Sequence, residues 1–308
     1  MASSQSTKLR ILAFAICITL LIAWSFQDRW SDTTIAIRPS GGTSMSHPPL
    51  LPCEDLPGAE DTLVVLKTGS TELKDRLPIH LNTTLKCYPN YMIFSDFGEQ
   101  FENEHVIDAL ESVSPDILTH HDDFELWRRL RQGGRAICET SELSRPESEA
   151  IEAVGKSENT GWKLDKWKFL PMMKRTLDDH PYMKWYVFAE ADTYLLWTSL
   201  LQYLAVLDHT KPHYTGSQMY IGDTLFAHGG SGFIVSQPAM RMVVDQYTAH
   251  QHEIQIYTDG HWAGDCVLGK VFKDAGVEFT DAWPIPSTRL PGNRCLCATG
   301  RQAYRGSE

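Results

Sequence analysis

The stretch "WYVFAEADTYLLW", residues 185–197, starts as an apolar run that reads as a buried strand and stops on two acids, Glu190 and Asp192, flanking one alanine. Burying a carboxylate costs on the order of several kcal/mol unless something positive meets it, so a strand end carrying two of them requires a partner. On an extended chain a spacing of two aims both side chains the same way. A hard divalent cation suits such a pair, because Mg²⁺ or Mn²⁺ takes carboxylate oxygens and leaves positions open for phosphates. A solvated loop after the strand is the other reading of an acid-x-acid pattern. The apolar run before the pair and Tyr194-Leu195-Leu196-Trp197 after it favour the metal.

Outward from this stretch the chain alternates strands with helices. "TLVVLKTG" (62–69) and "YMIFSD" (91–96) are short apolar runs closed by turn residues. Helical patterns are expected in "NEHVIDALESV" (103–113), "DDFELWRRLRQ" (122–132) and "LDKWKFLPMMKRTLDDHPYM" (164–183), the last with a kink at Pro171. After the acids, "SLLQYLAVL" (199–207) is a helix with one apolar face, "HGGSGFIVS" (228–236) a glycine turn entering a strand, and "QPAMRMVVDQY" (237–247) a helix with proline in its first turn. Alternation of this kind predicts an α/β fold with a mostly parallel sheet flanked by helices. Ligands of such sheets sit beyond the carboxyl ends of the strands. Thr68-Gly69, Ser95-Asp96 and Glu190-Ala191-Asp192 all fall at such ends and are expected to share one crevice.

Two further segments carry chemistry of less specific form. Gly229, Gly230 and Gly232 let a backbone approach a ligand closely, or only let the chain turn tightly before a strand. Asp265, in "HWAGDCVLGKVF" (261–272), stands at the start of a helix, where an acid is either a functional carboxylate or an N-cap.

The ends of the chain differ from its middle. Lys8 and Arg10 precede the nearly charge-free run "ILAFAICITLLIAWSF" (11–26), which predicts a signal-anchor over 11–27 with a cytosolic tail at 1–10. A cleavable signal peptide with Ala23 and Ser25 at the cleavage site is the alternative, disfavoured by bulky Trp24 and Phe26. Residues 28–60, rich in Ser, Thr, Pro and Gly, read as a stem, and the globular domain is expected over 61–288 with an atypical tail at 289–308. A lumenal domain agrees with six cysteines beyond the anchor and with the sequon Asn82-Thr83-Thr84. A net charge of −11, with no segregated basic patch, excludes nucleic acid as a partner.

The pieces in this order resemble the Fringe-like inverting β1,3-glycosyltransferases of glycosyltransferase family 31, which include the core 1 β1,3-galactosyltransferases, and particularly the fungal branch. "TLVVLKTGSTELKDRLPIHLNTTLKCYPNYMIFSD" is similar to the family's first nucleotide-binding strand, helix and second strand. "WYVFAEADTYL" is similar to its strand ending in a metal-binding DxD, "HGGSGFIVS" to its GGxG segment and "GDCVLGKVFKDAG" to its acidic pair before a helix. The resemblance implies a GT-A type fold and transfer of a sugar, galactose first, from a UDP-sugar to a glycan acceptor such as an N-acetylgalactosaminide in β1,3 linkage. It implies Mn²⁺ as cofactor, with Asp192 as direct ligand and Glu190 supporting the metal or donor. Thr68, Asp96, Lys166, Gly229 and Gly230 would line the donor site, and Asp265 would be the general base. It also implies a single-pass type II membrane protein of the Golgi or another secretory compartment.

This chain departs from that pattern in three places. Glu190 replaces the first Asp of the DxD, and Gly264 replaces the first acid of the pair before the helix. No histidine follows Asp265, where the family has a metal ligand, and the basic segment "RLPGNRCLCATGRQAYRGSE" follows instead, as in a truncated relative. His228 and His261 are the substitutes to test. A non-catalytic or chaperone-like lumenal relative is the alternative to an enzyme, and a carbohydrate-binding module carrying the nine tryptophans a third.

Overall fold

A computed structural model of the chain describes residues 52–138, 142 and 160–282. The expected cytosolic tail, anchor, most of the stem and the C-terminal tail lie outside the described residues. Among the described residues, no helix is long and apolar enough to cross a membrane.

Four strands precede the middle of the chain: β1 (Thr62–Lys67), β2 (Tyr91–Ser95), β3 (Glu99–Phe101) and β4 (Glu104–Asp108). Six follow it: β5 (Trp185–Glu190), β6 (Tyr214–Gly216), β7 (Gln218–Ile221), β8 (Thr224–Ala227), β9 (Phe233–Ser236) and β10 (Phe279–Asp281). Eight of them form one sheet in the order β10-β6-β9-β5-β1-β2-β4-β3, and β7 and β8 form a separate hairpin. The block β5-β1-β2-β4 is parallel throughout, as is β10 with β6, while β9 and β3 run antiparallel to their neighbours. The α/β architecture read from the sequence is therefore the observed one.

Strand β1 explains why the sheet is covered on both sides, since all six of its residues are buried. Leu63 and Val65 face a core with Phe94, Tyr186, Phe188 and Phe233, covered by the helices Thr160–Asp179, Gln237–Ala249 and Gly264–Asp274. Val64 and Leu66 face the opposite core with Ile93, Val187 and Ile234, covered by the helices Leu73–Asn82 and Trp197–Leu204. Each buried Leu, Val or Phe side chain contributes about 1.5–3 kcal/mol of transfer free energy, so the central strands are the most strongly held part of the fold.

Two expectations change. The segment 103–113, read as a helix, holds strand β4, which pairs with both β2 and β3. Its helically spaced apolar residues serve two different cores: Val106 packs under the sheet, whereas Leu110 and Val113 pack with Trp127 and Trp167. Part of the stretch read as stem is also held to the domain. Cys53 forms a disulfide with Cys87, its carbonyl accepts the Trp197 indole N–H at 2.9 Å, and Ala59 is buried.

Candidate active site at the strand ends

The register of the parallel block places Lys67 beside Glu190 on one side and Phe94 on the other, so the ends of β1, β2 and β5 meet as expected. Beneath this edge lies a charge network that the sequence did not reveal. The Lys67 ammonium is buried and contacts Asp165 Oδ2 at 2.6 Å and Glu190 Oε1 at 3.1 Å. Lys168, equally buried, lies 3.4 Å from Asp96 Oδ2 and 3.5 Å from Asp165 Oδ1, and donates to the Thr68 carbonyl at 3.0 Å. Burial alone would lower both ammonium groups. The neighbouring carboxylates outweigh it, Asp165 and Glu190 at Lys67 and Asp96 and Asp165 at Lys168, and both lysines are held above their ordinary range.

Lys67 thus answers the question posed by Glu190, but only in part. Burial pushes the Glu190 carboxyl up to about 7, because the attraction of Lys67 is shared with Asp165, while Asp165 and Asp192 repel it. Burial also works against Asp165, yet with Lys67 and Lys168 on either side its carboxyl stays below the usual range. Glu72 is raised by burial, with the charge of Asp192 adding to it. Four carboxylates with open surface, Glu72, Asp165, Glu190 and Asp192, therefore face the crevice over two buried lysines.

The chain around Asp192 does not continue extended. The Thr193 N–H donates to the Glu190 carbonyl at 2.9 Å, closing a turn over Ala191 and Asp192. The turn is fixed from behind by the Ala191 N–H on the Lys67 carbonyl at 2.9 Å and by the buried His80 ring, 2.8 Å from the Ala191 carbonyl. Glu190 consequently reaches sideways to Lys67, and Asp192 is exposed at the apex with its charge felt by both Glu190 and Glu72. The excess of hard oxygen donors suits Mg²⁺ or Mn²⁺ rather than a softer ion.

Gly229 links this crevice to Asp265. Its N–H donates to Asp265 Oδ2 at 2.9 Å, and a Cβ added to it would lie 2.9 Å from Glu190 Oε1 and 3.4 Å from Asp265 Cβ. Any side chain here would therefore separate the two acids. Gly230 gives its carbonyl to the Thr193 hydroxyl at 2.9 Å, which ties the glycine turn to the acidic one. Asp265 is the second residue of the helix Gly264–Asp274, whose N-cap is Ala263, so its carboxylate is not the cap. Instead it accepts from the Gly229 N–H and from the Cys266 N–H, both at 2.9 Å, and these two bonds fix its aim. The glycine preceding it is a packing device: a Cβ at Gly264 would sit 2.6 Å from Lys166 Cα and 2.7 Å from the Phe169 ring.

The remaining expected residues lie deeper or to one side. Thr68 and Asp96 are buried in the crevice floor, where Asp96 Oδ1 accepts from the Ser70 N–H at 2.8 Å and from its hydroxyl, and Thr68 donates to Glu72 at 3.2 Å. Lys166 points away from the strand ends, 2.9 Å from Asp123 Oδ2 and 3.0 Å from the Asp259 carbonyl. The lysine of this helix that reaches the strand ends is Lys168. His121, Asp123 and Asp259 form the tight His/carboxylate group among the described residues, but the Lys166 ammonium already supplies its cation.

The comparisons with known proteins give a family for this region. Residues 156–285 match the model of the Fringe-like family. This part of the chain is similar to the Fringe-like family. The matched stretch, less than half of the chain, contains Lys168, Glu190, Asp192, Gly229 and Asp265, and the family is one of glycosyltransferases. No curated protein matches the chain significantly.

Proposed function

We propose that the chain is an inverting glycosyltransferase that moves a sugar, most simply galactose, from a UDP-sugar to a glycan acceptor in β1,3 linkage. The observation that carries this reading is the crevice at the ends of β1, β2 and β5. Its open side is acidic and would repel a nucleotide diphosphate unless a divalent cation were bound first, and Gly229 holds a separate, fixed carboxylate beside it. Asp192, with Glu190 in support and Glu72 alongside, would hold Mn²⁺, which supplies Lewis-acid neutralisation of the leaving diphosphate. Thr68, Asp96 and Lys168 shape the floor under the nucleotide, and Gly229 and Gly230 let it approach the backbone. Asp265 accepts the proton of the acceptor hydroxyl as that oxygen attacks the anomeric carbon from the side opposite the departing UDP. Inversion follows from that single displacement.

Location in a secretory membrane, such as the Golgi, as a type II protein is part of the same proposal. The apolar run at 11–26, the Cys53–Cys87 disulfide and the exposed Asn82 support it.

The test is transfer itself. Purified chain with Mn²⁺, UDP-galactose and an N-acetylgalactosaminide should give a β1,3-linked disaccharide, and Asp265→Asn should stop transfer while leaving UDP bound. Absence of UDP release from every UDP-sugar would overturn the enzyme reading. A second reading, a lumenal relative that binds donor without transferring, is favoured by Gly264, which stands directly before Asp265 where the resemblance has an acid. It predicts UDP binding with no product.

A further inference from the structure

The loop leading into Asp265 is tied by its own hydrogen bonds yet displays a large apolar ring to solvent. Its shape is set by the His261 N–H on the Thr258 carbonyl and by the Ala263 N–H on His261 Nδ1, both at 3.1 Å, with Ala263 buried. The His261 ring lies between Tyr257, at 5.6 Å, and Trp262, at 6.5 Å with an interplanar angle of only 18°. Trp262 nevertheless keeps 72% of its surface exposed. An indole left this exposed contributes little to the core, and its face is open to a ligand.

Its position relative to the two carboxylates follows from a chain of contacts. Following contacts outward from the donor crevice, Glu190 meets Gly229, Gly229 meets Asp265, and the Asp265 charge reaches the His261 ring, behind which Trp262 stands. Trp262 therefore stands on the Asp265 side of the crevice, three residues before that carboxylate in the chain and against the His261 ring that feels its charge. A second exposed tryptophan lies on the helix that packs against Gly264. Trp162, one turn before Lys166 on the same helix face, is 58% exposed, and that face is the one packed under Gly264 and against Asp259. A base that takes a proton from an acceptor hydroxyl must have the acceptor ring alongside it, on the side away from the leaving group.

We propose that Trp262, backed by His261, is the stacking platform for the acceptor sugar, its indole face covering the apolar C–H face of the ring whose hydroxyl is presented to Asp265. This rests on the transferase reading given above. The platform sets acceptor affinity and orientation and has no part in holding the donor, so it is a positioning residue.

The experiment measures two activities of the full-length chain with Mn²⁺ and UDP-galactose: transfer to p-nitrophenyl N-acetylgalactosaminide, and UDP release to water without acceptor. Trp262→Ala should raise the acceptor KM about tenfold, the size expected for one lost aromatic stacking contact, with donor hydrolysis and donor KM unchanged. Trp262→Phe should recover most of the acceptor affinity. An acceptor KM unaltered in Trp262→Ala, or a parallel fall of transfer and donor hydrolysis, overturns the platform. A wild-type chain that releases no UDP under either condition overturns the transferase reading, and the platform with it.

Discussion

Lys67 and Glu190 are register partners on adjacent parallel strands, and their ammonium and carboxylate meet at 3.1 Å with Asp165 on the other side of the lysine. One cation is thus divided between two acids at the edge where the donor is expected. Removing it leaves Glu190 without its cation and Asp165 with Lys168 alone, at 3.5 Å. Lys67→Met should destabilise the fold by about 2–4 kcal/mol, somewhat less than for a fully enclosed pair because Asp165 is 39% exposed. Chemical denaturation read by tryptophan fluorescence checks this, and a change under 1 kcal/mol, on the order of a surface pair, would contradict it.

The same division makes stability depend on pH in a particular direction. The Glu190 carboxyl is raised from 4.5 to about 7, first by burial and then by Asp165 and Asp192, so between those values the folded state binds more protons than the unfolded one. Its contribution to stability is present below pH 4.5 and is lost as pH rises through about 7. Glu190→Gln should flatten this part of the profile and leave the protein roughly 1–3 kcal/mol more stable at neutral pH. Melting curves at a series of pH values read the slope directly, and an unchanged slope in the variant would show that Glu190 is not its source.

Gly229 is the hinge of the arrangement in a literal, steric sense. In Gly229→Ala the new methyl would lie 2.9 Å from Glu190 Oε1 and 3.1 Å from the Phe169 ring, so one of them must move. The expected cost is about 1–3 kcal/mol of stability, the usual range for overpacking, together with loss of UDP binding. Wild-type stability and wild-type nucleotide affinity in this variant would contradict the close approach of Glu190 and Asp265.

The Cys53–Cys87 bond closes a sequence separation of 34 residues and holds the segment before β1 against Trp197. In the loop-entropy description its loss costs about 3–4 kcal/mol, so the Cys53→Ser, Cys87→Ser double variant should unfold at clearly lower denaturant concentration. Reduction of the wild type should reproduce the shift. If the double variant and the wild type unfold together, the bond does not form in the folded protein.

What the sequence made legible follows from how each signal is encoded. Strands β1, β2 and β5 were readable because both of their faces are buried and their apolar runs end abruptly, and the convergence of their ends follows from parallel pairing alone. Lys67 was not, because it looks like the ordinary polar end of the run "TLVVLK" until the neighbouring strand supplies Glu190. The choice between Lys166 and Lys168 was equally hidden. Two residues apart on a helix they point to opposite sides, and Lys168 shares a face with Asp165, whereas Lys166 turns to Asp123. The extended geometry assumed for Glu190 and Asp192 failed for a local reason, the turn closed by the Thr193 N–H. β4 was misread because the spacing of Val106, Leu110 and Val113 fits a helix while they serve two cores.

The proposed transferase requires the acidic turn after β5 to hold a divalent ion so that a nucleotide diphosphate can bind. Titration calorimetry of UDP into the purified chain, with and without Mn²⁺, measures this most directly, with Asp192→Ala as the companion. The expected result is binding that requires the metal and disappears in Asp192→Ala, a variant that should fold normally because Asp192 is exposed. Metal-independent binding, no binding by the wild type, or equal affinity in Asp192→Ala would contradict the account.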